Sequence, residues 1–421
     1  MRILIVGGGG REHALAWKIK KSSRCSRIFC APGNGGISDI AECVGIKATD
    51  IQEMVKFAKQ NSIDMTIVAP DDPLALGMVD ALQSEGLRAF GPKKNAAIIE
   101  ASKVFAKDLM RKYEIPTPEF RVFTDYSEAI VYLRQTRYPT VIKADGLALG
   151  KGVIIANNCQ EACEAVDNMM NKKIFGMAGS RIVAESFITG DEVSVLAFTD
   201  GKTIIPMISA KDHKRVYDGN MGPNTGGMGA FSPSSAYNYS IANEAFEKII
   251  EPTIKAMKNE GRSFSGVLYF GLMLSSNGPY LLEYNARFGD PETQAILPLL
   301  KTDLLDIFDA ILSQDLASIN LEWQEKASAC VVLASGGYPG EYKTGYEIFG
   351  LDDTGFEEDV VIFHSGTKKT GDKYYTNGGR VIGVTAIEDN LEKAVTKAYR
   401  NIGKISFEGM HYRKDIGKFK F

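Results

Sequence analysis

Short apolar runs alternate with helically spaced segments through the first hundred residues. The runs at 3–6, 28–30, 65–69 and 88–90 close on Gly, Pro or Asp, and segments 12–21, 51–60 and 74–85 lie between them. Strands joined by crossover helices predict a small doubly wound parallel sheet, with ligands at the carboxyl ends of its strands. A lysine-rich helix over 101–113 and a stiff Ile115-Pro116-Thr117-Pro118 connector follow, because proline fixes φ and keeps its predecessor extended. Strands at 140–144, 152–156, 181–185, 192–199 and 203–206, with a helix near 160–170, predict an α+β lobe. A long polar, glycine-rich loop is expected over 211–233, then a helix at 241–260 and strands at 265–275 and 279–285. After a helix at 301–313 the pattern resets. Strands at 327–334, 360–364, 373–375 and 380–385 and a helix at 388–402 predict a separate C-terminal α+β domain.

A chain of 421 residues exceeds what one core organises, which predicts two to four domains. Its 49 basic and 52 acidic residues leave a net charge of -3, so no global field draws it to nucleic acid or an acidic membrane. The opening Met1–Gly7 is too short for a signal segment, and no apolar run reaches membrane-spanning length. The six cysteines (25, 30, 43, 159, 163 and 330) form no CxxC pair and only four histidines are present. Reduced thiols in a cytoplasmic protein without a zinc site are therefore expected.

The densest chemistry lies in Leu282-Glu283-Tyr284-Asn285-Ala286-Arg287-Phe288-Gly289-Asp290-Pro291-Glu292. Glu283, Asn285 and Arg287 are two apart, so a strand points them to one face. The carboxylate and amide are hard ligands suited to Mg²⁺, and Arg287 offers a planar fork for a carboxylate or phosphate. Gly7-Gly8-Gly9-Gly10-Arg11-Glu12-His13 follows a strand and opens a helix, an arrangement that receives anions. It lacks the G-x-G-x-x-G order, and the second strand ends in Cys30-Ala31 where a ribose-binding acid would stand. Dinucleotide binding is thus disfavoured, and a phosphate site with Arg11 as partner remains.

Val141–Gly152 ends a strand on Lys143 and turns through Gly146 and Gly150-Lys151-Gly152. Such a hairpin can fold over polyphosphate while Lys143 neutralises charge. It is no P-loop, because glycine spacing, the missing Ser or Thr and the following strand all differ. The bend Val183–Glu192 carries an acid on each side and by itself reads as a polar hairpin. Asp212-His213-Lys214-Arg215 and Gly222–Gly229 share the long loop, whose backbone amides could face an anion. His213 reads as structural.

Taken in order, these blocks closely resemble the phosphoribosylamine–glycine ligases, which are ATP-grasp enzymes. Ser102-Lys103, Gly336–Gly340, Thr376-Asn377-Gly378-Gly379-Arg380 and Arg413–Gly417 extend the resemblance over the whole chain. It implies an N-terminal substrate-binding domain at 1–101, an ATP-grasp domain at 102–314 with a small lobe about 120–188, and a C-terminal α+β domain at 315–421. The implied fold is α/β and α+β multidomain, with a two-lobed ATP-grasp core. The implied reaction joins glycine to 5-phosphoribosylamine with ATP and Mg²⁺ or Mn²⁺, through glycyl phosphate. Lys103, Lys143, Gly150 and Lys151 match the phosphate side of the ATP site, Glu185 and Phe187 the adenine linker, and Glu192 the ribose acid. Glu283 and Asn285 match the metal ligands. Arg287 and Asp212 match the groups that hold glycine, and with Lys143 they form the implied catalytic set. Gly8, Gly9, Gly10 and Arg11 would take the phosphoribosylamine phosphate, with Asn224, Thr225, Gly226 and Gly227 closing over the acyl phosphate. A monomer acting on these three substrates, without nucleic acid or membrane, is expected.

Two positions depart from the family pattern. Ser186 replaces a frequent acid in the linker, and Asn220 replaces a frequent Asp in the loop. Tyr269-Phe270-Gly271 carries no carboxylate where other ATP-grasp enzymes place a second metal ligand. Another ATP-grasp carboxylate–amine ligase and a non-catalytic nucleotide-binding relative are the alternative readings.

Overall fold

The computed structural model describes residues 1–147, 152–351 and 355–418. The expected site residues Gly150 and Lys151, and with them all of 148–151 in the turn between Lys143 and Gly152, lie outside the described residues. The N-terminal sheet is parallel, in the order Glu42–Cys43, Arg27–Pro32, Arg2–Gly7, Met65–Val68, Ala89–Phe90. Ile3 to Val6 are fully buried, as expected for a central strand covered on both faces. The strand order reverses at Arg2–Gly7, so the glycine turn after it sits at the switch point where such sheets receive ligands. The helix expected over 74–85 is two helices, Asp71–Leu76 and Met78–Ser84. Gly77 between them has φ 98°, a left-handed turn that glycine adopts without steric cost. The apolar spacing continues across that break, which is why the pattern reads as one helix.

Two antiparallel four-stranded sheets face the central cleft. One runs Phe120–Phe123, Ile182–Ser186, Thr140–Ala144, Val153–Ala156, and the other Ile204–Pro206, Asp191–Thr199, Gly266–Ser275, Gly278–Asn285. In the second, Leu281 pairs with Leu272 and Glu283 with Gly271, which leaves Leu282 as the extra residue of a β-bulge. Bulges re-aim side chains, and here both Leu282 and Glu283 line the cleft.

The expected loop at 211–233 is a correction. It contains the strands Lys211–Asp212, Arg215–Tyr217, Met221–Asn224 and Gly229–Ser232. The middle two pair with each other. The outer two pair together, and Gly229–Ser232 then pairs with Ala327–Ala334. The C-terminal sheet is thereby five-stranded, completed by Arg380–Glu388 and Val360–His364. Strands this short carry no readable alternation, and their hydrogen-bond partners lie up to a hundred residues away.

Candidate active site

The cleft between these layers has a cavity volume of about 970 Å³, ample for a nucleotide-sized ligand. Behind its wall, Asp145 follows the strand Thr140–Ala144 and anchors the start of the helix Lys103–Lys112. One carboxylate oxygen of Asp145 accepts from Ser102 Oγ at 2.8 Å and from the Val104 N–H at 2.7 Å. The other accepts from Arg181 Nη2 at 2.5 Å. The Asp145 carbonyl accepts the Lys103 N–H at 2.9 Å, and Lys103 Nζ donates to the Gly146 carbonyl at 3.3 Å. An anion at the start of the helix Lys103–Lys112 satisfies its first amides, and so Lys103 is fixed at the cavity wall.

Glu283 sits among three ammonium groups. Burial opposes its ionisation, but Lys214, Lys143 and Lys103 outweigh burial and hold its carboxyl at about 2. Lys214 Nζ lies 2.6 Å from Glu192 Oε1 and 3.5 Å from Glu283 Oε1. Burial pushes Lys103 down, with Glu283 countering it. Lys143 Nζ lies 2.9 Å from Glu185 Oε2 and donates to the Leu282 carbonyl at 3.0 Å. Lys107 Nζ lies 3.1 Å from the other oxygen of Glu185. The carboxylate of Glu185 is therefore enclosed between two lysines, whereas Phe187, two residues on, is exposed at the cavity edge.

Arg287 spans several acceptors. Its Nη2 lies 2.9 Å from Glu100 Oε1 and donates to Asn285 Oδ1 at 3.0 Å, and its Nη1 donates to the Phe288 carbonyl at 3.1 Å. Its Nε is buried without a partner, and so is Oδ1 of Asp212. Burial raises the Asp212 carboxyl well above its ordinary value, and Glu292 raises it further. Both Asp212 and Arg287 are within electrostatic reach of Glu292, whose Oε1 accepts from Ser194 Oγ at 3.0 Å. Asn224, Thr225 and Gly226 line the cavity beside Asp212. Gly227, at φ 116°, has no room for a side chain: a Cβ there would lie 2.7 Å from Asp212 Oδ1 and 2.4 Å from Pro291 Cδ. Arg380 ties this loop to the block after Arg287, donating to the Gly226 carbonyl at 2.8 Å and the Asp290 carbonyl at 2.7 Å.

Of the N-terminal anion turn, Arg11 reaches the cavity while Gly8, Gly9 and Gly10 are not among its lining residues. Glu12 accepts from the Gly9 N–H at 2.6 Å and from Arg11 Nε at 2.7 Å. Asn34 Nδ2 donates to the Gly8 carbonyl at 2.9 Å and the His364 carbonyl at 2.8 Å, and Gly10 packs against Gln294 and Ser365. His213 lines the cavity, held neutral near about 4 by burial and by Arg413.

Lys107, Lys214, Glu100 and Arg380 also line the cavity and are not among the residues the sequence singles out. Lys107 has one sequence signal, its i+4 spacing from Lys103 on a helix. Lys214 and Arg380 lie inside motifs whose chemistry reads through their neighbours.

Among the described residues no group of three or more His, Cys, Asp or Glu side chains forms a metal cage. Glu283, kept ionised by the three lysines, and Asn285 both line the cavity and would offer a sparse hard donor set. That set fits Mg²⁺, which takes one or two protein oxygens and completes its shell with water and substrate phosphates.

Models of three domains of phosphoribosylglycinamide synthetase match most of the chain. The N domain matches residues 1–100, the ATP-grasp (A) domain 101–293 and the C domain 328–419. The chain is 51% identical over 416 residues to a phosphoribosylamine–glycine ligase of Caldanaerobacter subterraneus subsp. tengcongensis, covering 99% of each. It is 48% identical over 417 residues to one of Halalkalibacterium halodurans, covering 99% of this chain and 96% of that one. The crystal structure of phosphoribosylamine–glycine ligase from Thermotoga maritima superposes with a TM-score of 0.84 at 32% identity, over 99% of this chain and 100% of that one. A biotin carboxylase domain from Hydrogenobacter thermophilus superposes with a TM-score of 0.72 at 15% identity, over 98% and 91%. That last likeness is one of fold alone.

Proposed function

The chain belongs to the phosphoribosylglycinamide synthetase family, and from that premise we propose how its residues divide one reaction. It ligates glycine to 5-phosphoribosylamine with ATP, giving glycinamide ribonucleotide, ADP and phosphate in purine biosynthesis. A glycine carboxylate oxygen attacks the γ-phosphorus, the bond to the bridging oxygen breaks, and ADP leaves glycyl phosphate behind. The amine nitrogen of phosphoribosylamine then attacks the carbonyl carbon, the C–O bond to phosphate breaks, and the amine gives up a proton. A neutral amine is already nucleophilic, so no strong base is needed, and a neutral buried His213 is consistent with that. Both steps depend on positioning and charge stabilisation.

In this reading Lys103 and Lys143 neutralise ATP phosphates, with Gly150 and Lys151 proposed beside them from sequence alone. The segment 185–188, Glu185 and Phe187 included, flanks adenine, and Glu192 faces the ribose. Arg287 holds the glycine carboxylate and Asp212 its ammonium group. Arg11, at the mouth of the Gly8, Gly9 and Gly10 turn, takes the phosphoribosylamine phosphate, and the 224–227 segment covers the acyl phosphate. Glu283 and Asn285 would hold Mg²⁺ or Mn²⁺, which when bound neutralises charge on the transferring phosphoryl group. The six free thiols support a cytoplasmic setting. Among the described residues no helix is long and apolar enough to cross a membrane. In this reading the protein acts as a monomer.

One observation carries the amino acid assignment. A buried acid oxygen of Asp212 and a buried guanidinium N–H of Arg287 both lack partners, and both side chains line one cleft. Glycine has an ammonium group for the first and a carboxylate for the second. An arriving ammonium would also draw the Asp212 carboxyl back towards ionisation. ADP release measured with glycine and phosphoribosylamine omitted in turn tests this reading. It should require both, and alanine should not replace glycine. Equal rates with alanine would refute the glycine assignment.

A further inference from the structure

We infer that Lys107 is a positioning residue that shares Glu185 with Lys143 and so leaves positive charge on the lysine pair to meet nucleotide phosphates. The inference rests on the reading of Lys143 given above.

Lys107 lies one helical turn beyond Lys103, on the same face of Lys103–Lys112. Its side chain is 2% exposed, that of Glu185 2% and that of Lys143 6%, so the three charges interact with little solvent between them. One carboxylate oxygen lies 3.1 Å from Lys107 Nζ, an ion pair without hydrogen-bond geometry, and the other 2.9 Å from Lys143 Nζ. Two ammonium groups around one carboxylate leave one positive charge to spare. Lys107 remains able to carry its charge at neutral pH, since burial lowers it only to about 8 against the pull of Glu185.

The same two lysines also grip the bulge that presents Glu283. Lys107 Nζ donates to Thr117 Oγ1 at 2.6 Å, and Thr117 Oγ1 donates to the Leu281 carbonyl at 2.8 Å. Lys143 Nζ donates to the Leu282 carbonyl at 3.0 Å. Consecutive carbonyls at the bulge are thus tied to the lysine pair. Without Lys107, Glu185 has Lys143 as its remaining partner, and the two close into a neutral pair. The phosphates then meet a cluster with no net charge. Lys107 therefore acts through Glu185 and Lys143.

The experiment measures KM for ATP and for glycine, and kcat, in Lys107→Met, Lys107→Gln, Lys107→Arg and Lys143→Met. Lys107→Met should raise KM for ATP about tenfold or more and leave KM for glycine within about twofold, because the lost charge faces the nucleotide. Lys107→Arg keeps the charge and should restore most of the ATP affinity. A Lys107→Arg no better than Lys107→Met, or equal losses for ATP and glycine, would overturn the inference. If Lys107→Met fails to fold, Lys107→Gln decides, since it can still bond Thr117 but carries no charge: a KM for ATP raised about tenfold with a near-native KM for glycine supports the role, and an unchanged KM for ATP rejects it. Lys143→Met separates the two readings. An unchanged KM for ATP there would reject the phosphate role of Lys143 itself. A raised one, with Lys107→Met unaffected, would reject only the role of Lys107.

Discussion

Glu283→Gln is expected to lower turnover by at least about a hundredfold while the protein stays folded, a loss typical of removing one group aimed at transition-state charge. The change keeps the shape of the side chain and removes its negative charge. Glu283 is the anion on which Lys214, Lys143 and Lys103 converge, and it is the one carboxylate in the donor pair proposed for Mg²⁺. The amide would leave that site with neutral oxygens only and would weaken the attraction of a divalent cation. Rates measured across a Mg²⁺ titration, with thermal melts in parallel, check this. The variant should need far more Mg²⁺ and still fall short. Native-like rates at limiting Mg²⁺ would remove Glu283 from the metal role. A pH signature accompanies the change. The folded carboxyl titrates at about 2 against an ordinary 4.5, so its stabilisation is full above 4.5 and is lost as pH falls through about 2. The Gln variant should lack that part of the acid dependence.

Arg287→Lys should raise KM for glycine by about thirtyfold or more and leave ATP binding close to native, because a point charge cannot replace a planar fork. The guanidinium reaches Glu100, Asn285 and the Phe288 carbonyl at once and still holds a buried Nε without a partner. A lysine can keep the charge opposite Glu100, so the stability cost is expected to stay within about 1–2 kcal/mol, below that of a broken buried pair. Glycine saturation curves and nucleotide titrations on the same preparation separate the two effects. An unchanged KM for glycine, or an equal loss of nucleotide affinity, would reject the proposed role of Arg287.

The N-terminal sheet was legible because its central strand Arg2–Gly7 is apolar throughout its core and ends on glycine. The strand carrying Glu283 and Asn285 was legible for a similar reason, since an apolar run there turns abruptly into acids, an amide and a guanidinium. The bulge at Leu282 was not, because it exists only in the pairing with Gly271 and Leu272. The same limit hid the strands in 211–233, whose partners include residues near Cys330. Lys107 and Glu185 lie 78 positions apart and acquire meaning only when the helix and the strand meet. Asp145 likewise reads as a turn residue until the amides of the helix Lys103–Lys112 arrive at it. Residues that touch substrates tend to sit in dense polar motifs. Those that hold them in place look ordinary.

The most direct measurement uses glycine labelled with heavy oxygen in its carboxylate, turned over with ATP and phosphoribosylamine. If the carboxylate is activated as glycyl phosphate, a labelled oxygen must appear in the inorganic phosphate released with glycinamide ribonucleotide. Product formed alongside unlabelled phosphate would contradict the account.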